Sequence, residues 1–207
     1  MPHGSLSLPA RLCLLAWDSA TIEVMPAAHA VRAGALAELA RRGLLTDENG
    51  IATPADMDAL TGDGVLDGLL ELVRESRPHH WRSWVTLHAR VTFDAAREQL
   101  TAGGYLRAEK KRVLGVFPSV EHVLENRAAV DALGQEARRI LDARSPEVSG
   151  DEAVFAALAA AADLPAALQD GDRERHKQRV EELIEHSGTS AILGELCAAL
   201  SALPTTD

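Results

Sequence analysis

The sequence predicts a single, mainly α-helical domain, on three observations. At 207 residues and 46% hydrophobic, the chain can bury one good core without disulfides or metals. Aromatics make up only 3% while Ala and Leu are abundant, so that core has to be built from aliphatic helix faces packed closely. Apolar residues also recur at helical spacing in one segment after another, with Pro, Gly and capping residues between them.

In order along the chain, "SLSLPARLCLLAW" offers Ser5 or Ser7 as N-cap, Pro9 in the first turn and a stripe of Leu12, Leu14, Leu15 and Trp17, which reads as a short buried helix. "TIEVMP" is a brief extended piece. Pro26 then opens "PAAHAVRAGALAELARRG", where Val31, Ala35, Leu36 and Leu39 lie at helical spacing before the Gly43 stop. "LLTDENGIATP" carries the Asn-Gly pair of a tight two-stranded turn. Asp63 caps a helix through Val65, Leu66, Leu69, Leu70 and Val73, which Pro78 ends near Arg77. Two shorter helices are expected around Trp84–His88 and Asp94–Leu100, broken by Gly103 and Gly104. A β-hairpin follows in "YLRAEKKRVLGVF", Tyr105–Phe117, which sets Arg107, Glu109, Lys110, Lys111 and Arg112 between apolar shoulders. Four helical segments complete the chain: "NRAAVDALGQEARRILD", one around "DEAVFAALAAAADLPAAL", "DRERHKQRVEELIEH" and "SAILGELCAALSAL". The domain is expected to span 6–203, with 1–5 and 204–207 as flexible termini.

Charge and composition narrow the function. A net charge of −10 and a pI near 5.3 argue against nucleic acid, whose backbone demands a broad basic field, so an anionic ligand has to meet a local patch. No apolar run reaches the ~20 residues of a membrane span, and the first residues lack a charged region followed by a cleavable apolar one. The expected location is cytoplasmic, at most peripheral on the inner face of a membrane. Cys13 and Cys197 lack ligand or disulfide spacing and read as small buried hydrophobes.

No catalytic or metal constellation emerges. His79 and His80 are adjacent and diverge on regular structure, and with His88 they find no acid or cysteine at ligand spacing. His186 and Ser187 lack a nucleophile elbow, and no phosphate-cradling glycine motif is present. Neither cofactor nor metal is expected, and the protein is expected not to be an enzyme. Arginines offer more, because a guanidinium can hold phosphate oxygens through two parallel bonds. Arg32 lies within an apolar helix, either as a binding group or as an arginine snorkelling its head to water from the edge of the stripe, and Arg90 in "LHARVTF" has the same two readings. Arg173, Arg175, Lys177 and Arg179 read as a solvated helix face beside Glu174, Glu181 and Glu182.

The order of "LSLPARLCLLAWD", "GALAELARRGLL", "TGDGVLDGLLELVRESRP" followed by Trp84, "QLTAGGYLRAEKKRVLGVFP" and "HKQRVEELI" resembles the Golgi phosphoprotein 3 family, in the manner of a bacterial member, from Leu6 to Leu203. The resemblance implies a helix-bundle core, surrounding amphipathic helices and a projecting β-hairpin near 105–117. Eukaryotic relatives are peripheral membrane proteins that bind phosphatidylinositol 4-phosphate in a shallow pocket of a tryptophan and several arginines, beside the hairpin. Matched residue by residue, two pocket arginines fall on Arg32 and Arg90, the next falls on Phe93, and the tryptophan falls on Glu23. One cation fewer and one carboxylate more would lower phosphate affinity by ~10².

The resemblance thus implies a non-catalytic peripheral membrane adaptor for a phosphatidylinositol 4-phosphate-like headgroup or an anionic leaflet. Arg32 and Arg90 would hold the anion, and the hairpin residues Arg107, Lys110, Lys111, Arg112, Val113 and Leu114 would meet membrane or another copy. The alternative is a soluble scaffold whose lipid site has decayed and whose hairpin drives self-association.

Overall fold

The computed structural model describes residues 6–18, 21–22, 24–113, 117–143, 148–168 and 172–203, with side chains except at 18, 21–22, 111–113, 117–119 and 172–174. The expectations for Glu23, for Leu114 and for the termini at 1–5 and 204–207 lie outside the described residues.

Helix α1 (Leu8–Leu15) starts at Ser7, with Pro9 in its first turn, and its residues are nearly all buried. It ends two residues before the Trp17 that closes its apolar stripe. Trp17 falls instead in a two-residue strand β1 (Trp17–Asp18), paired antiparallel with β2 (Thr21–Ile22). Ser7 occupies the N-cap position without making a side-chain cap bond. The Leu8 N–H is satisfied by the carboxylate of Glu38, at 2.7 Å, from the following helix.

That helix, α2 (Val24–Arg41), is buried on every side from Ala27 to Ala40 apart from half-buried His29. The sequence predicts a one-faced stripe here, but small side chains line the other faces too, so neighbours close in all round. α2 is packed by α1, by α3 (Gly64–Glu75), α4 (Trp81–Thr86), α5 (Ala89–Ala102), α7 (Gly150–Ala161) and α9 (Ser190–Ser201). α7, alanine-rich and buried from Ala153 to Ala161, starts at Ser149 with a reciprocal capping box to Glu152. α6 (Arg127–Asp142), capped by Asn126, and α8 (Asp172–His186) cover α7 from outside. The described residues thus form one mainly helical domain around a continuous core.

Between α2 and α3, β3 (Leu45–Glu48) and β4 (Ile51–Pro54) pair through the Asn49-Gly50 turn, whose φ values of 56° and 84° require a left-handed backbone. Asp63 caps α3, accepting from the N–H groups of Val65 and Leu66 at 2.9 and 3.2 Å. The next two helices start earlier than their sequence patterns suggest. Leu87 and left-handed His88, with φ 53°, form the two-residue break between them. The projecting hairpin is also longer: β5 (Leu106–Val113) pairs with β6 (Phe117–Leu124) over eight residues each. Its basic residues therefore lie along β5 rather than in the turn. Arg179, read from sequence as part of a solvated face, is half-buried and donates to the Ile140 carbonyl, tying α8 to the end of α6. Arg175 and Lys177 are exposed.

Close approach depends on glycine at α6. A Cβ on Gly134 would stand 2.3 Å from the Ala166 carbonyl oxygen, a backbone atom that also accepts from Arg138 at 2.7 Å. Gly134→Ala gains helix propensity of about 1 kcal/mol, but the clash has no flexible side chain to absorb it. The variant is expected to lose about 1–3 kcal/mol net, read as a lower denaturant midpoint; an unchanged or higher midpoint would show that the 164–168 segment yields.

Candidate functional site

Two of the arginines singled out from the sequence lie at the start of α5, Arg32 beneath it and Arg90 on its outer face. α4 ends at Thr86, Leu87 is extended, and left-handed His88 turns the chain into α5. The His88 carbonyl accepts from the Val91 N–H at 3.0 Å and from Arg32 Nη2, rising out of α2, at 2.5 Å. Arg32 therefore sits beneath the start of α5.

Its environment is unusual for an arginine. The side chain is 0% exposed, so the snorkelling alternative does not hold. Nε and Nη1 are buried with no hydrogen-bond partner among the described residues, and none of the ion pairs there includes Arg32. Burial pushes its pKa down to about 10, which leaves it charged at neutral pH. A buried cation with one carbonyl acceptor costs several kcal/mol, because the bond recovers only part of its hydration. Trp84 Nε1, on α4, is a further buried donor without a partner among the described residues. By contrast the other buried charge of α2, Glu38, accepts from Leu8 N and pairs with Arg42.

Arg90, one residue into α5, points the other way. It is exposed, and its Nε donates to both oxygens of Asp94 at 3.1 and 3.2 Å. The same carboxylate pairs with Arg97, whose guanidinium carbon lies 4.5 Å above the ring of buried Phe93. Arg32 and Arg90 thus flank one helix start, Arg32 closed from solvent and Arg90 outside; they do not face one open cleft. Phe93, at the position where the resemblance implies an arginine, carries a cation laid over it from one turn further on. Asp94 and Arg97 were missed from sequence, although the Arg90, Asp94, Arg97 spacing of four and three residues on a helix marks them as neighbours.

The hairpin runs beside this region, since α5 packs against β5. His122 on β6 has a buried Nδ1 with no hydrogen-bond partner among the described residues. Its pKa is lowered first by burial and next by Arg97, against Asp94 and Glu98. Arg107 is neutralised by Glu125 and Glu109, both at 2.5 Å. Lys110 is exposed and lies opposite exposed Val120. Lys111, Arg112 and Val113 continue β5, but their side chains are not among those described.

A second concavity, of about 640 Å³, is lined by Asp47, Gly50, His80, Arg82, Ala191 and Glu195. Its charges are already engaged: Arg82 forks onto Glu195 at 2.9 and 3.0 Å, and Asp47 accepts from Trp81 Nε1 at 2.6 Å. His79 stacks edge-on against Trp84, and His80 places Nδ1 3.0 Å from the Gly50 carbonyl. Cys13 and Cys197 are buried, which pushes each thiol up to about 12. Among the described residues no helix is long and apolar enough to cross a membrane.

A family model described as Golgi phosphoprotein 3 (GPP34) matches residues 8–201. No curated protein matches the chain.

Removing the uncompensated charge should relieve the fold. Arg32→Met keeps much of the stem and is expected to raise stability by about 1–4 kcal/mol, read as a higher denaturant midpoint at unchanged slope. A fall in the midpoint would mean that the single bond to His88 outweighs the burial of the charge.

Proposed function

The chain belongs to the Golgi phosphoprotein 3 family, and we propose that it is a non-catalytic peripheral membrane adaptor that binds a phosphorylated lipid headgroup, phosphatidylinositol 4-phosphate-like, or an anionic membrane surface. The observation that carries this reading is Arg32: a fully buried guanidinium on α2 with two nitrogens that find no hydrogen-bond partner among the described residues. Stability alone gives no reason to keep it. An anion at the start of α5 would satisfy those donors and meet the favourable end of the helix dipole. Arg90 would close on the same anion from the rim.

Access requires the turn at Leu87–His88 to move, and the left-handed His88 is a strained, local joint at which it can do so. Lys110, Lys111 and Arg112 along β5 would add about 1 kcal/mol each against an anionic leaflet. With a net charge of −10, attraction acts only where such bases touch the surface, because the field of the whole molecule repels it.

Flotation with phosphatidylcholine vesicles, with and without phosphatidylserine or phosphatidylinositol 4-phosphate, tests the reading. Binding is expected on the anionic vesicles at low salt, weakening as salt rises. Replacing Arg32 and Arg90 together by Ala is expected to lower it at least ~10-fold. No binding to either anionic vesicle at low salt overturns the proposal.

One observation favours the alternative of a soluble scaffold. β5–β6 is a two-stranded ribbon with no third strand paired to it among the described residues, and such edges pair with other copies. In light scattering, an oligomer that dissociates when Lys110, Lys111 and Arg112 become Glu supports self-association through the hairpin. A monomer both before and after the change removes it.

A further inference from the structure

We propose that Asp94 is the built-in anion of this site, a positioning residue that occupies Arg90 when no ligand is bound and so sets which anions can displace it. The inference rests on the anion-binding reading above and concerns how that site is kept closed and how it is released. Arg90 Nε donates a three-centre bond to both Asp94 oxygens, at 3.1 and 3.2 Å, so an incoming phosphate that takes two guanidinium nitrogens has to displace only this one donor. The two arginines on this carboxylate differ in freedom. Arg97 has a side chain only 13% exposed and lies over Phe93, whereas that of Arg90 is 55% exposed. Arg90 is therefore the partner that can leave.

The second arginine makes the exchange nearly balanced. When Arg90 swings to an incoming anion, Asp94 stays paired with Arg97 and is not left as an isolated carboxylate. An exposed pair four residues apart on a helix is weak, so a dianionic phosphate can win Arg90 while a singly charged, poorly fitting carboxylate gains little. Asp94 thus acts as a threshold for anion entry. Arg97 laid over Phe93 keeps a positive charge in the region where the family's arginine is absent.

The test is a double-mutant cycle on vesicle binding. Asp94→Asn removes the competing charge at constant shape and is expected to raise affinity for phosphatidylserine or phosphatidylinositol 4-phosphate vesicles about 3- to 10-fold. That gain should vanish in an Arg90→Ala background. Asp94→Glu, still able to hold Arg90, should stay near wild type. Glu98→Gln removes an equal charge from α5 at a residue not paired with Arg90 among the described residues, and any gain it gives should be independent of Arg90. Calorimetry with inorganic phosphate at matched ionic strength separates sources: an Arg90-dependent gain there too assigns the site to the phosphate group itself, and a gain on vesicles alone assigns it to the headgroup at a surface. A gain from Asp94→Asn that survives Arg90→Ala overturns the proposal in favour of a general charge effect. No gain, in a protein that binds through Arg90, overturns the proposal and leaves the anion-binding reading standing. Failure of wild type and Asp94→Asn alike to bind any anion overturns both.

Discussion

A helix can be buried on all sides only if its side chains are small or its polar groups are satisfied within the protein, and α2 shows both conditions at work. Ala and Gly line most of it, which lets α1, α4, α5, α7 and α9 approach its backbone. Gly34 shows how close: a Cβ there would lie 2.5 Å from Leu12 Cδ1. The surrounding helices are positioned by what α2 permits, and the start of α5 is therefore fixed directly above Arg32.

The two buried charges on α2 divide along that line. Glu38 is used up by the structure, since it caps α1 through Leu8 and pairs with Arg42. Replacing it would leave a helix start unsatisfied. Arg32 is not used up, because two of its three nitrogens find no acceptor among the described residues. A well-packed apolar side chain there would stabilise the fold more, so packing alone does not account for Arg32.

Much of this was legible in the sequence and some was not, for physical reasons. Asn49-Gly50 and Asp63 were readable because each acts locally, through positive φ or through a side chain bonding its own helix start. The full burial of α2 was hidden because alanine on an outer face looks the same whether it meets water or another helix. The length of the hairpin was hidden because "PSVEHVL" has no strong period-two pattern and gains its strand state by pairing with β5. Arg32 stands out in the sequence as a cation among apolar residues, but its burial depends on the α4–α5 turn closing over it, a tertiary fact. The contacts of Asp94 with Arg90 and Arg97 are marked by spacings of four and three residues on one helix, but their unequal burial is again tertiary.

The charge pattern around α5 decides how such a site can work. Arg90 and Arg97 share Asp94, and Arg107 is matched by Glu109 and Glu125, so the arginines near the hairpin base project little field beyond a few ångströms. With a net charge of −10 behind them, long-range steering toward an anionic surface is weak, and recognition has to come from contact. That arrangement suits discrimination more than capture: each internal acid must be displaced by something that fits the guanidinium better than a carboxylate does. A bidentate, doubly charged phosphate meets that condition better than diffuse negative charge does. The selectivity of the site would then follow from the acids that neutralise it as much as from the arginines that bind.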